Sequence, residues 1–292
     1  MATFRIVSSF GLVALLAACS SASDRTGFGG DDAGTPSSKP APTGDLTKGN
    51  PTTPPASSDD AEVHEVYGQS ATTLYKLEPA TKAVTVVGNF SGCEPVTDIA
   101  LDEKSTIYAV SQNTLYTVDK TTAVCTKVRS GTYPNSLSFV PKGTVDPNAE
   151  ALVGYNAGDY IRIDVTTGQT TTLGSIGGSY QSSGDIVSVK GGKTYLTVKG
   201  GKCTTNDCLI EVDPSTGKLV QDWGSIQHKS VFGLSFWGGS LYGFDEQGEL
   251  FQVTFNTNDV STSSIPIPQK PSNLSFWGAG SSTSAPLVAQ PQ

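Results

Sequence analysis

Charge and histidine are scarce in this chain. Only 16% of its 292 residues are charged, and 27 Asp and Glu outnumber 19 Lys and Arg, for a net charge of -8. A field of that sign repels a phosphate backbone, so nucleic acid is excluded as a partner. There are only two histidines, His64 and His228, which leaves little imidazole for acid–base chemistry near neutral pH. His64 is expected to be a surface residue. No serine in a strand-turn-helix setting accompanies His228, which argues against a hydrolytic triad. The sequence also lacks a phosphate-binding P-loop, a dinucleotide glycine fingerprint and a His-Glu-x-x-His pair. An enzyme is therefore less expected than a binding protein.

Long apolar runs are missing as well. The longest, Ile6 to Leu16, falls short of the roughly 20 residues needed to span a bilayer. It follows Arg5 and ends in Leu16-Ala-Ala-Cys19, and this pattern resembles a bacterial lipoprotein signal. That resemblance implies a signal peptide over residues 1–18, a lipid on Cys19, and a membrane partner reached through the anchor. Ser20 stands where an inner-membrane retention Asp would be, so an outer-membrane or cell-surface address is expected, the periplasmic side being the other choice.

Residues 19–61 hold Pro36, Pro40, Pro42, Pro51, Pro54 and Pro55 among Gly, Ser, Thr and Asp. With so little apolar surface the segment cannot offset the entropy of ordering, and it reads as a disordered tether.

What the chain has in quantity is short alternating runs rich in Val, Thr, Tyr and Gly, the composition of strands and turns. One phrase recurs. Leu115-Tyr-Thr-Val-Asp119 has counterparts centred on Tyr75, Ile161, Ile210 and Phe251, and successive markers are 41, 45, 49 and 41 residues apart. Spacings of this size match propeller blades. Each phrase is followed by a turn, closed by Thr-Gly at Gly168 and Gly217, and each of the last four is preceded by two further strand signals. Four strands per repeat make one blade. The first repeat lacks its first strand, while Asn273-Leu-Ser-Phe276 reads as a first strand with no sequel. The expectation is an all-β, five-bladed β-propeller over residues 62–278, closed by that C-terminal strand pairing into the N-terminal blade, with a flexible tail over 279–292.

The repeat resembles those of bacterial surface propellers of the YVTN, NHL and gluconolactonase kinds. In the lactonase family an acidic cluster holds a catalytic metal, so the resemblance implies a metal-dependent lactonase-type hydrolase as the alternative function.

Cys93, Cys125, Cys203 and Cys208 suit an oxidising compartment. Cys203 and Cys208 would staple a loop, and Cys93 and Cys125 would tie adjacent blades; isolated Cys-x4-Cys spacing is a weak zinc signal.

In a propeller the connections between fourth and first strands, and between second and third, gather on one face. They carry Tyr133, Asn135, Tyr180, Gln181 and His228, the candidate ligand-binding residues. Asp98, Asp185 and Asn273 are read as equivalent positions around the axis and as candidate oxygen ligands for Ca2+, although at strand starts such residues more often bind loop backbone. Trp237 and Trp277 read as equivalent packing residues on the opposite face. No organic cofactor is expected. The function expected is a lipid-anchored binding or interaction module for an unknown protein, glycan or small ligand.

Overall fold

The computed structural model describes residues 64–289, so the signal segment, Cys19 and the tether lie outside the described residues. Five four-stranded antiparallel sheets make up the domain. Blade I contains β1 (Val66–Gln69), β2 (Thr73–Leu77) and β3 (Val84–Asn89). Blade II contains β4 (Asp98–Leu101), β5 (Ile107–Val110), β6 (Thr114–Val118) and β7 (Cys125–Ser130). Blade III contains β8 (Leu137–Val140), β9 (Ala151–Asn156), β10 (Asp159–Ile163) and β11 (Thr170–Ser175). Blade IV is formed by the longer β12 (Tyr180–Ser188), β13 (Thr194–Gly200), β14 (Cys203–Val212) and β15 (Leu219–Ser225). Blade V contains β16 (Val231–Trp237), β17 (Ser240–Asp245), β18 (Leu250–Phe255) and β19 (Val260–Ile265).

The ring closes through β20 (Gly278–Ser281), which pairs antiparallel with β1 as the innermost strand of blade I, Gln69 opposite Gly278 and Val66 opposite Ser281. Closure by the C-terminus matches the sequence expectation, but the segment is different. Asn273-Leu-Ser-Phe276 is not a strand. Its Leu274 and Phe276 are buried between blades V and I, so their alternation reflects packing rather than pairing. The boundary expected after residue 278 thus falls within the closing strand, and residues beyond it stay against the domain. Lys190 N–H donates to Thr283 O at 2.8 Å, and Gly239 N–H donates to Pro286 O at 3.2 Å.

The core is a set of five apolar clusters among the described residues, each filling the wedge between two neighbouring blades. Blades III and IV, for example, share Tyr155, Tyr160, Ile186, Leu196 and Ile210. Five blades with five filled wedges leave no open edge in the ring, the reason a propeller needs no helices to cover its sheets. Burying one such Leu or Ile contributes about 1.5–3 kcal/mol.

The repeated Asp is a turn former. The Asp164 carboxylate accepts the N–H groups of Thr166 and Thr167, both at 2.8 Å, and Asp119 accepts those of Thr121 and Thr122. The Thr121 hydroxyl, which also donates to Asp119 at 2.7 Å, and then the N–H groups hold that carboxyl down to about 2, and the N–H groups hold Asp164 below the usual range. The Thr-Gly that closes the turn answers to packing as well as to its positive φ: a Cβ on Gly217 (φ +70°) would lie 2.4 Å from the Tyr160 ring. Tyr155 and Tyr160 reach across the wedge to donate to Gly217 O and Pro214 O, each at 2.7 Å.

Two disulfides are present, Cys93–Cys125 and Cys203–Cys208. The first joins the chain leaving blade I to the first residue of β7, blade to blade as expected. The second lies within β14 itself, where the pairing with β13 shifts register.

Candidate functional site

Gly278, Asp98, Ser136, Asp185 and Gly233 stand at matching positions of the five inner segments: the Asp98 carboxylate accepts the N–H after Ser136 as the Asp185 carboxylate accepts the N–H after Gly233. The residues just before them are Trp277, Thr97, Asn135, Gly184 and Phe232, one from each blade. All five line a cavity of about 560 Å³ at the mouth of the axial channel. Connections between second and third strands supply Gln112 and Glu246, the end of β9 supplies Asn156, and Tyr133 completes the wall. The face chosen from connectivity is therefore the face that carries a cavity.

The wall is of one chemical kind. Gln112, Asn135 and Asn156 are exposed amides, Thr97 is a half-buried hydroxyl, and Glu246 is the one charged residue among those lining the cavity. Trp277 is 41% exposed, so the indole offers a bare ring face or edge to the solvent of the mouth. Its own N–H backbone group is spent on Gln69 O at 2.7 Å, which fixes where the residue sits. Phe232 is half-buried, and Tyr133 is buried with its hydroxyl donating to Gly168 O at 3.0 Å.

Of the ligand-binding residues expected from sequence, Tyr133 and Asn135 are on this wall. Tyr180 and Gln181 are not; they start the extended β12 of blade IV. There the Tyr180 hydroxyl donates to Asp222, which also receives Lys202, and burial together with that carboxylate pushes the phenol up to about 12. His228 is placed beside the mouth, not in its lining. Its ring stacks on Phe251 with centroids 3.8 Å apart and planes 8° apart. Nδ1 is 3.2 Å from Asp245 Oδ2 and 3.7 Å from Glu249 Oε2. Asp245 Oδ1 accepts the N–H groups of Gln247 (3.0 Å) and Glu249 (2.9 Å), so this cluster folds the short loop that carries Glu246 into the cavity. Among the described residues, these three side chains are the group able to hold a metal ion, with ligand atoms within 4.8 Å of one another.

Below the mouth, Asp98 and Asp185 come together and are fully buried. Each clasps two blades. Asp98 Oδ1 accepts Ile99 N–H at 2.8 Å and its Oδ2 accepts Leu137 N–H, in blade III, at 2.6 Å. Asp185 repeats this with Ile186 (2.7 Å) and, in blade V, Leu234 (2.6 Å). Burial raises the pKa of both, and the charge of Asp185 raises Asp98 further. Gln69, also fully buried, has neither amide atom hydrogen-bonded within the described protein, and the Ser136 and Ser235 hydroxyls are in the same condition. Asn273 is not in this group. It is an exposed turn residue with φ +60°, and Gly278 takes the ring position that the sequence pattern assigned to it.

Gln112, Asn156, Phe232, Thr97 and Glu246 went unnoticed in the sequence, and Trp277 is not on the opposite face where the sequence reading put it. Trp237 and Trp277 are not equivalent: Trp237 ends β16 on the far side, edge-on to His64 with centroids 6.1 Å apart, whereas Trp277 precedes its inner strand at the mouth. Placing the five inner strands in register at Asp98, with Gly278 in line, is the signal that would have found the set.

No protein family matches the chain, and no curated protein matches it. Several solved structures are similar in shape. A chain of the nidogen/laminin complex is 10% identical with a TM-score of 0.45, covering 75% of this chain and 98% of that one. A Lactobacillus plantarum protein is 13% identical with a TM-score of 0.37, covering 72% and 69%, and a Bacteroides caccae protein of unknown function is 10% identical with a TM-score of 0.36, covering 68% and 71%.

Proposed function

We propose that this protein is an extracytoplasmic binding module, held at a bacterial outer membrane or cell surface through a lipid on Cys19, and that its ligand enters the axial mouth of the propeller. The observation that carries the reading is the single cavity wall to which all five blades contribute, with Trp277 exposed in it. A volume of about 560 Å³ is of the size that small-ligand sites have, from about 300 to about 1,000 Å³. The wall binds and orients; it offers no nucleophile paired with a base. The disulfides support an oxidising compartment, and among the described residues no helix is long and apolar enough to cross a membrane.

Metal-dependent hydrolysis is the second reading. It requires an ion at Asp98 and Asp185, whose oxygens already receive backbone N–H groups from four blades. Binding therefore stands ahead. The test is a ligand array probed with the full-length protein alongside Asn156→Ala, an exposed mouth residue. Ligands retained by the wild type and released by the variant support the mouth as the site; equal retention by both overturns it.

A further inference from the structure

Resting on the mouth as the binding site, we infer that its ligand is a neutral carbohydrate, bound with the C–H face of one sugar ring against Trp277. The argument begins with charge. The cavity lining contains no Lys or Arg and one carboxylate, Glu246. A phosphate, sulfate or carboxylate ligand would find no cation to pair with there, and the net charge of -8 opposes its approach.

The polar groups narrow the class. Gln112, Asn135 and Asn156 come from three different segments in two blades, and each carries an acceptor oxygen beside two N–H donors. Such pairs complement adjacent hydroxyls, each of which both donates and accepts. Thr97 adds another group of the same dual kind, and the Glu246 carboxylate is a strong acceptor for a further hydroxyl. The three amides and Glu246 are exposed in the free protein, so they are hydrated until a ligand replaces that water.

Trp277 supplies what hydroxyl recognition lacks. An indole 41% exposed, at a position where other blades place Thr97, Asn135 and Gly184, is a costly surface to leave in water without use. A pyranose ring is apolar across its face and polar around its rim, so one face covers the indole while the rim meets the amides.

The test is a titration of intrinsic tryptophan fluorescence in the full-length protein with neutral trisaccharides (gluco-, galacto-, manno- and N-acetylglucosamine-based) and, in parallel, with a tripeptide panel and inorganic phosphate. The expected result is saturable change with at least one saccharide, lost in Trp277→Phe, and, by isothermal calorimetry with that saccharide, affinity reduced at least tenfold in Trp277→Ala and several-fold in Asn156→Ala. Asn156 is exposed, so that variant keeps the test alive should Trp277→Ala fail to fold. A response to peptide or phosphate with none to any saccharide overturns the carbohydrate class and leaves the mouth standing. A saccharide response unchanged in Asn156→Ala and Trp277→Ala alike overturns both.

Discussion

Gln69 and Gly278 face each other across the seam between the first and last strands of the propeller, and Asp98 closes over both. A Cβ placed on Gly278 would lie 2.1 Å from Asp98 Oδ1 and 2.7 Å from Gln69 Nε2. The glycine is therefore the condition for bringing the last strand against the buried carboxyl. Gly278→Ala is expected to destabilise the domain by about 1–3 kcal/mol, the usual cost of overpacking a filled interior. Urea unfolding should show a lower midpoint at an unchanged slope; a midpoint equal to that of the wild type would mean that the seam has room to spare.

The raised pKa of the buried Asp98, beside Asp185, gives stability a pH dependence of defined sign. Burial and the neighbouring carboxylate raise the Asp98 pKa above its ordinary value of 3.8, so the folded protein holds a proton that the unfolded chain releases. That contribution is complete below about 3.8 and is lost as pH rises through the folded-state pKa. Glu150 and Asp207, also raised by burial, add slope of the same sign. Asp98→Asn removes the Asp98 carboxyl together with its coupling to Asp185. Subtracting the variant's unfolding free energy from that of the wild type should give a difference that shrinks with rising pH; a difference independent of pH would contradict the raised Asp98 pKa.

The two disulfides are expected to differ in weight. Cys93–Cys125 spans 32 residues and joins two blades, for which chain entropy gives about 3–4 kcal/mol; Cys203–Cys208 spans 5 residues within β14 and should contribute about 2 kcal/mol. Thermal melts of Cys93→Ala/Cys125→Ala and Cys203→Ala/Cys208→Ala should show the larger loss in the first. The reverse order would mean that the local staple, not the blade joint, holds the ring.

The division between what could be read from the sequence and what could not follows the range of the interactions. Asp119, Asp164 and Asp213 mark hairpin turns through hydrogen bonds two or three residues away, so the phrase that contains them measures blades reliably. The closing strand has no such local mark. Gly278-Ala-Gly-Ser281 is small because Asp98 and neighbouring strands approach it from other blades, and smallness in sequence reads as a loop. Leu274 and Phe276 have the alternation of a strand for another reason, a wedge they fill. That displacement of five residues put Asn273 on the axis and Trp277 on the wrong face. The mouth itself depends on one residue from each blade, a relation that no single repeat contains.

His228 lies outside the mouth and is expected to act on it through Glu246. Its ring, fixed by the stack on Phe251 and by Asp245 Oδ2 at 3.2 Å, braces the loop from Asp245 to Glu249. Removing it in His228→Ala takes away the side chain that holds Asp245, whose Oδ1 accepts the N–H groups of Gln247 and Glu249, so amide exchange at Gln247 and Glu249 should quicken. Affinity for a mouth ligand should then fall several-fold, because Glu246 no longer starts in place. The decisive comparison is a double-mutant cycle. If His228 acts through Glu246, the affinity loss in His228→Ala/Glu246→Ala should match that of Glu246→Ala alone, with a coupling of about 0.5–1 kcal/mol. Strictly additive losses would place His228 in contact with the ligand by another route, and an unchanged exchange rate at Gln247 would show that the loop needs no brace.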